Sequence, residues 1–156
     1  MSIEPAAATL DFVARVRADV EPPRVIGETQ LGERRIVPIA GGEVSGPQIE
    51  GRILPGGADW QIVRPDGTAW LEARYTVETD DGALIYVRNL GLRHGPPEVL
   101  ERLRRGEPVD PSDYYFRSTP RFESSHPRYE WLNLIVAVAS GARLADEVLL
   151  DVYAVR

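Results

Sequence analysis

Hydrophobic and polar residues alternate along much of the chain, which is the pattern of β-strands with one buried face. Residues 10–20 alternate between apolar and charged positions, with Val13 as the one apolar exception. The same period of two runs through residues 69–79 and resumes at residues 84–87, after Asp80-Asp81-Gly82. Because an Asp-Gly pair between two alternating runs is a strong hairpin signal, these two segments are predicted to form a β-hairpin.

Shorter apolar runs that end at Pro or Gly predict further strands. They cover residues 35–40, 48–54, 59–63, 114–118, 121–123, 131–139 and 148–155. Gly41-Gly42 is expected to end the first of these strands, Pro120 to lie at a bulge or a sheet edge, and Ser140-Gly141 to join the last two. Residues 96–105 are the one predicted helix, since Pro and Glu open the segment and arginines close it before Gly106.

Many short strands with hairpin-length links predict an all-β fold, an antiparallel meander with one short helix. A meander of about nine or ten strands must close or form a sandwich, and closure is favoured because it removes the exposed edges. The chain is expected to be a single β-barrel domain over residues 1–156, with residues 1–8 as a loose N-terminal arm.

Composition excludes several classes of function. The net charge of -6 provides no positive field for nucleic acid or for an anionic membrane. The absence of cysteine removes thiolate chemistry, all 18 basic residues are Arg so that no Schiff-base lysine exists, and His94 and His126 are the only histidines. No signal peptide, metal-binding or dinucleotide motif is present, so we expect a cytoplasmic protein without metal or cofactor.

Four segments carry a resemblance to a known family. They are residues 54–60 (LPGGADW), 79–91 (TDDGALIYVRNLG), 115–123 (YFRSTPRFE) and 129–133 (YEWLN). In this order they resemble the domain-of-unknown-function family DUF3237, and the resemblance extends from about Leu10 to residues 151–153. It implies a lipocalin-like, calycin-type β-barrel that pairs into homodimers, and it implies no established reaction.

Asp59 and the central hairpin supply the first candidate site residues. A barrel of about eight strands is filled by side chains or holds one small ligand. Asp59 follows a glycine turn and precedes Trp60, so it is interpreted either as a desolvated general base or as a carboxylate that caps the turn. Glu72 and Arg74 are interpreted either as a polar floor of the lumen or, more simply, as exposed ion-pairing residues.

Aromatic and polar residues are mixed in the segment from 114 to 133. This mixture is typical of packed core but also of small-molecule sites, where an Arg can hold a carboxylate or a phenolate. The catalytic candidates are Asp59 and His126. The ligand-binding candidates are Trp60, Glu72, Arg74, Tyr75, Tyr86, Asn89, Phe116, Arg117, Phe122, Trp131 and Asn133.

Three functions fit these residues. The first hypothesis is a barrel whose lumen binds a small, mostly apolar metabolite, aromatic or carboxylated. The second is a cofactor-independent isomerase, cyclase or lyase of secondary or aromatic-compound metabolism, with Asp59 or His126 as the base and Arg74 or Arg117 steadying an enolate or phenolate. The third is a filled barrel that serves as a dimerisation module.

Overall fold

The computed structural model describes all residues, 1–156, and contains strands, one α-helix and two 3-10 helices. The strands are β1 (Leu10–Val20), β2 (Arg24–Thr29), β3 (Gly32–Ser45), β4 (Gly51–Ile53), β5 (Gly57–Val63), β6 (Ala69–Thr79), β7 (Leu84–His94), β8 (Tyr115–Glu123), β9 (Val136–Arg143) and β10 (Glu147–Val155). The helix α1 is Pro97–Arg104, and the 3-10 helices are Pro111–Asp113 and Glu130–Leu134. The predicted hairpin is confirmed as β6 and β7, with Gly82 at a φ of 85° in its turn.

The strands form a closed antiparallel β-barrel. Neighbouring strands follow the order β1, β10, β9, β8, β7, β6, and the pairing of β1 with β3 closes the ring. Between β6 and β3 lie β4 and β5, which pair with both of these strands and act as one interrupted strand. Counted this way the ring has eight positions, and β2 extends β3 beyond it. The predicted closed barrel with one short helix is confirmed.

A bulge in β1 explains the apolar exception in its alternation. The pairing of β1 with β10 shifts register between Phe12 and Ala14, so that Val13 is fully buried in the core. The same shift leaves Leu10 and Phe12 on the outer face, although the simple alternation places them on the buried side with Ala14. Residues 1–8 form no secondary structure and are exposed.

Gly41-Gly42 does not end β3, as the sequence analysis expected, because the strand continues to Ser45. Gly42 has a φ of 145°, and a Cβ atom there would lie 2.0 Å from the carbonyl oxygen of Arg17 on β1. The two glycines therefore bend β3 and allow the close approach of β1 that closes the barrel, instead of making a turn.

Three further predictions about the C-terminal half are corrected. Residues 130–134 form a 3-10 helix, so the predicted strand 131–139 begins only at Val136. Strand β9 runs through Ser140-Gly141 to Arg143 before the chain turns into β10. The predicted strands 114–118 and 121–123 are one strand, β8, which continues through Pro120. The predicted position of Pro120 at a sheet edge agrees with the structure, because β8 pairs with β9 only at Arg117 and Ser118.

Helix α1 follows β7 and lies at the barrel end where β7 finishes. Val99 and Leu103 pack against the core, while Glu98 in the first turn and Arg102 in the last turn complement the helix dipole. The turn between β5 and β6 packs on the helix, since Gly67 leaves room for Leu100. No helix in the structure is both long and apolar enough to cross a membrane.

Candidate functional site

Free space in the barrel is concentrated at the end where α1 lies. The opposite half of the lumen is filled with apolar side chains such as Val77, Ile85 and Val152, and it leaves a cavity of about 10 Å³. The half nearer α1, which we call the upper lumen, has a cavity of about 50 Å³, room for a few water molecules. Beyond it, between α1 and the Pro65-Asp66-Gly67 turn, opens a cavity of about 480 Å³ that we call the mouth chamber.

These volumes change the predicted location of a ligand. Small-molecule pockets in proteins have volumes of about 300–1,000 Å³. The upper lumen alone is therefore too small for a metabolite, and the mouth chamber is large enough. The two spaces share Arg93 and Arg143 in their walls, so a ligand in the mouth chamber would face the upper lumen across these arginines.

Three arginines from different strands line the mouth chamber. Arg35 lies on β3, Arg93 near the end of β7 and Arg143 at the end of β9. Arg35 donates a hydrogen bond to Gln61 at 3.1 Å, and its nearest carboxylate, Glu33, is 3.9 Å away. The guanidinium groups of Arg93 and Arg143 form no ion pair and no hydrogen bond, and Arg35 Nε and Arg143 Nη1 are buried without a partner.

Burial and mutual repulsion weaken the hold of these arginines on their protons. Burial, together with the positive charge of Arg143, lowers the pKa of Arg93 to about 10. Burial likewise lowers the pKa of Arg143, with a contribution from Arg35, and burial lowers the pKa of Arg35. An arginine is nearly always charged in proteins, so these shifts indicate a crowded positive site that an anion would relieve.

Asp59 on β5 is the only carboxylate in the walls of the upper lumen. One of its oxygens accepts a hydrogen bond from Gln61 Nε2 at 2.8 Å, and the other accepts from the backbone N–H of Glu72 at 2.9 Å. The pKa of Asp59 is raised by burial, an effect that the Gln61 hydrogen bond and the charge of Arg93 oppose. A carboxyl group held in this way can accept a proton and return it near neutral pH more readily than an exposed one.

Polar groups without partners accompany Asp59 in the upper lumen. Asn89 Oδ1 and Ser118 Oγ are buried and accept or donate no hydrogen bond within the protein. Phe116 lies beneath Arg93, with the guanidinium carbon 5.5 Å from the ring centroid. Gly141 makes room for this ring, because a Cβ atom there would lie 2.7 Å from it. Tyr75 forms the lower boundary, and burial raises the pKa of its hydroxyl group.

The opposite end of the barrel holds a polar cluster of another kind, centred on Asp81. Its carboxylate accepts hydrogen bonds from the hydroxyl groups of Thr79 and Tyr129 and pairs with Arg128 at 3.0 Å. The Thr79 hydrogen bond, followed by those from Tyr129 and Arg128, lowers the pKa of Asp81 to about 2. Every member of this closed-end cluster is thus satisfied, as in a structural site.

His126, the second predicted catalytic residue, lies at this closed end and not with Asp59. Its Nδ1 accepts a hydrogen bond from the backbone N–H of Arg128, and its ring lies against Tyr129. Asp59 and His126 are therefore at different ends of the barrel, and they do not form one site.

Several predicted ligand-binding residues point outward. Glu72 pairs with Arg74 at 2.8 Å and with Arg88 at 2.9 Å on the outer surface, so neither Glu72 nor Arg74 forms a floor of the lumen. Trp60, Glu72 and Arg117 instead line a groove of about 940 Å³ on the outside of the barrel. Tyr86 is exposed on the outer face of β7.

The remaining candidates divide between the lumen and the closed end. Tyr75, Asn89 and Phe116 face the upper lumen with Asp59, while Phe122 lines the filled half. Trp131 packs at the edge of the core beneath Arg156, 5.2 Å from its guanidinium carbon. The amide of Asn133 is used within the chain, because it accepts from the Ser124 N–H and donates to the Ser124 carbonyl, both at 2.8 Å.

Sequence reasoning missed Arg35, Gln61, Arg93 and Arg143. The alternation gives the inward direction of these side chains, but it does not show that they meet around one opening. In β7, the inward positions Ile85, Val87 and Asn89 lead through Gly91 to Arg93. The structure brings no group of three or more His, Cys, Asp or Glu side chains together in a metal-binding arrangement.

Comparison with known proteins identifies the family. The sequence profile of the family described as "Protein of unknown function (DUF3237)" matches residues 8–155. The chain belongs to this family. It is 52% identical over 144 residues to the "UPF0311 protein RPA1785" of Rhodopseudomonas palustris, covering 92% of this chain and 94% of that protein. This DUF3237 protein therefore has the family membership that its sequence motifs predicted.

Solved structures of relatives have the same fold. The crystal structure of the Rhodopseudomonas palustris protein superposes with a TM-score of 0.94 at 49% identity, covering 97% of this chain and 100% of that one. A "beta-barrel like protein" from Acinetobacter baumannii gives a TM-score of 0.88 at 45% identity, covering 99% and 100%.

A distant relative has a named activity. The "Hydroalkoxylation enzyme phnH" of Penicillium herquei is 22% identical over 149 residues, which cover 96% of this chain and 85% of that protein. The crystal structure of an enzyme from Penicillium herquei gives a TM-score of 0.74 at 19% identity and covers 100% of both chains. At this identity the structural likeness shows a shared fold only.

Proposed function

We propose that this DUF3237 protein is a cofactor-independent enzyme that binds a small, partly aromatic molecule in the mouth chamber. The reacting end of the molecule would extend past Arg93 and Arg143 into the upper lumen, where Asp59 transfers a proton. The observation that carries the proposal is the setting of Asp59. It is the one carboxylate of the upper lumen, both of its oxygens are oriented by hydrogen bonds, and the unpaired Arg93 and Arg143 lie in the same walls.

The reaction is an internal rearrangement of the substrate. The Asp59 carboxylate takes a proton from a hydroxyl group or an activated C–H group of the bound molecule, and the protonated carboxyl group then gives a proton to a carbon of the same molecule. Substrate and product are isomers, so no oxidant, reductant or second reactant is consumed. Arg93 and Arg143 would stabilise the negative charge that develops on oxygen between the two transfers.

The distant relative supports this class of reaction. Hydroalkoxylation is the addition of an O–H bond across a C=C bond, so a proton leaves oxygen and carbon gains one. The Penicillium herquei protein that is named for that reaction is 22% identical to this chain, and a solved enzyme from the same organism has the fold of this chain at 19% identity. We propose the same reaction class for this chain on the strength of Asp59 and the arginines.

Turnover of a panel of phenols and alcohols that carry a C=C bond within reach of the hydroxyl group tests the proposal. Chromatography should show products of unchanged mass with the wild-type protein, and Asp59→Asn should reduce the rate at least about 100-fold. His126→Gln and the exposed control Glu123→Gln should keep the wild-type rate. Full activity of Asp59→Asn, or loss of activity in His126→Gln, would contradict the assignment.

Binding without turnover is a second candidate function, and the unpartnered Asn89 and Ser118 favour it. Buried polar atoms normally have hydrogen-bond partners, so these two atoms have room for a ligand group or ordered water. Native mass spectrometry of gently purified protein distinguishes the two functions. A retained molecule that is released unchanged after incubation supports binding alone, whereas its conversion to an isomer supports the enzyme.

We also propose a homodimer that uses the outer face of the barrel. Trp60, Trp70 and Leu90 are exposed on this face, around the groove of about 940 Å³. Large exposed apolar patches are uncommon on monomers and typical of interfaces. The homodimer and the calycin-type classification are what the sequence resemblance implied. Leu90→Glu should shift the sedimentation coefficient to that of a monomer, and an unchanged coefficient would contradict this interface.

A further inference from the structure

We infer that Arg93 and Arg143 bind the carboxylate or phenolate group of an organic anion in the mouth chamber. The inference rests on the proposed function for the location of the ligand, and it adds the chemical class of the substrate. Arg93 and Arg143 form no ion pair within the protein, and the nearest opposite charge in the walls that they share is that of Asp59.

Arg93 and Arg143 differ from the other unpaired arginines of the chain. Arg24, Arg64, Arg117 and Arg121 also form no ion pair, but they are exposed, so water solvates them. Arg34 is half-buried and unpaired, and it lines the groove on the outside of the barrel. Arg93 and Arg143 lie in the walls of an enclosed space, and the Nη1 atom of Arg143 is buried with no hydrogen-bond acceptor. A charge removed from water without a partner is unfavourable, so the missing component of this site is an anion.

The strand ends fix the geometry of the two arginines. Arg93 is paired in the ladder with Ala69 and Phe116, and Arg143 is paired with Val148. The Arg93 guanidinium group lies over the Phe116 ring, and the backbone N–H of Arg143 donates to the Tyr114 hydroxyl oxygen at 2.9 Å. Guanidinium groups held in place bind the two oxygens of a carboxylate with little loss of conformational entropy.

The surroundings favour an organic anion over an inorganic one. The mouth chamber has a volume of about 480 Å³, far more than a phosphate or sulfate ion needs, and Val63, Leu100 and Leu103 provide an apolar wall. Asp59 lies below the arginines with a charge that would repel a dianion. A monoanion with an aromatic or aliphatic body therefore fits the site: its charged group contacts Arg93 and Arg143, and its body lies against the apolar wall.

The other charges around the chamber form no ion pair with Arg93 or Arg143. Arg35 and Arg104 add positive charge, while Glu33 is 3.9 Å from Arg35 and Glu101 pairs with Arg104 at 2.6 Å. Asp66 also lines the chamber, and Asp59 and Asp146 act on the two arginines through their charge at longer range. The guanidinium groups of Arg93 and Arg143 therefore remain free to pair with an anion.

Calorimetric titration with benzoate and with its neutral isostere benzamide tests the inference. We expect benzoate to bind the wild-type protein at least 10-fold more tightly than benzamide, because only the carboxylate meets the arginines. Arg93→Gln and Arg143→Gln should each weaken benzoate binding at least 10-fold and leave benzamide binding unchanged, while the exposed control Arg121→Gln should have no effect. Arg93→Lys keeps the positive charge and loses the bidentate guanidinium group, so it should give an intermediate affinity for benzoate. This variant tests the site even if Arg93→Gln does not fold.

The possible outcomes separate this inference from the proposed function. Neither probe reacts, so benzoate binding does not depend on turnover, and Asp59→Asn should bind benzoate at least as tightly as the wild type. Selective benzoate binding by a protein with no turnover of any panel compound would support the anion site and contradict the enzyme. The anion site would be overturned by equal binding of benzoate and benzamide, by no binding of either, or by unchanged benzoate binding in both arginine variants. Inorganic phosphate that competes as tightly as benzoate would overturn the preference for an organic anion.

Discussion

The two ends of the barrel each carry a polar cluster, and the clusters differ in how completely their charges are paired. At the closed end, Asp81 receives hydrogen bonds from Thr79 and Tyr129 and an ion pair from Arg128. At the mouth, Arg93 and Arg143 form no ion pair, and Nη1 of Arg143 has no hydrogen-bond partner. The apolar interior near the closed end leaves only about 10 Å³, and a separate cavity of about 330 Å³, lined mostly by polar residues and glycine, lies beside Asp81, whereas the mouth opens into a chamber of about 480 Å³.

This difference separates a structural role from a functional one. A polar network that is fully satisfied stabilises one conformation and has no capacity to bind anything else. A network that lacks a component carries a free-energy cost in the empty protein, and a ligand that supplies the component recovers that cost as binding energy. On this criterion the site is at the mouth, although the closed end holds a histidine, a tyrosine and a carboxylate close together.

The largest expected difference between the two ends of the barrel is the effect of a carboxylate substitution on turnover. Asp59→Asn should lower kcat/KM at least about 100-fold, a loss of about 2.7 kcal/mol in transition-state stabilisation, because the proton acceptor is removed. Asp81→Asn should lower the melting temperature and leave kcat/KM of the folded protein unchanged. Steady-state kinetics and thermal unfolding of the two variants, measured side by side, check both statements. The comparison fails if Asp81→Asn loses turnover and Asp59→Asn does not.

A smaller effect is expected from packing beneath the arginines. Gly141→Ala places a Cβ atom 2.7 Å from the Phe116 ring, so the ring must move, and we expect a loss of about 1–3 kcal/mol in the free energy of unfolding. Because Phe116 supports Arg93, benzoate binding should weaken as well. Denaturant titration gives the first quantity and calorimetry the second. Ser140→Ala on the outer face is the matched control, and an equal effect there would contradict the explanation.

A still smaller effect has opposite signs at the two ends. Arg93→Met removes a half-buried charge that forms no ion pair, and we expect the ligand-free protein to gain about 1 kcal/mol in the free energy of unfolding. Arg128→Met removes a partner of Asp81 and should reduce stability slightly, as for other exposed ion pairs. Urea titration of both variants without added anion is the measurement. A loss of stability in Arg93→Met would show that this arginine has a structural partner.

The smallest expected effect is on the pH dependence of stability, which should have opposite signs for Asp81 and Asp59. The pKa of Asp81 is about 2 in the folded protein against 3.8 ordinarily, so its stabilising contribution is present above about pH 4 and is lost as the pH falls toward 2. The pKa of Asp59 is raised, so its contribution is present below the ordinary value and is lost as the pH rises through the raised pKa.

Melting temperatures of both asparagine variants across this pH range test the signs. The stability difference between the wild type and Asp81→Asn should shrink on acidification. On acidification, the stability of the wild type should increase relative to that of Asp59→Asn. Parallel curves for the two variants would mean that the ends of the barrel are electrostatically alike.

The barrel could be predicted because each strand is recognisable from a local sequence pattern. The site could not, because it depends on the register in which the strands pair. Alternation, the Asp-Gly hairpin and the Pro-rich helix start are readable within a few residues, and β1, β6 and α1 were predicted almost to the residue. Residues 131–134 were misassigned because the apolar content of a short 3-10 helix resembles that of a buried strand. Asp59 was identified from its turn, but its separation from His126 follows from how the strands are staggered around the ring.

The arginines of the mouth could not be recognised from the sequence for a related reason. Each of Arg35, Arg93 and Arg143 is an ordinary charged residue near a strand end, where exposure is the usual expectation. Only closure of the ring places three such ends around one opening. Glu72 and Arg74 show the converse: exposed ion pairing was the simpler of their two interpretations, and the barrel turns them outward.

The most direct test of the account is to measure the pKa of the Asp59 carboxyl group. A pH titration monitored by carbon-detected nuclear magnetic resonance, with and without benzoate, gives this value. The account predicts a pKa above 3.8 in the free protein, and a further rise when benzoate occupies the mouth chamber, because the added anion neutralises the field of Arg93 and Arg143. A pKa at or below 3.8, or one that does not respond to benzoate, would contradict the claim that Asp59 and the arginines form one site.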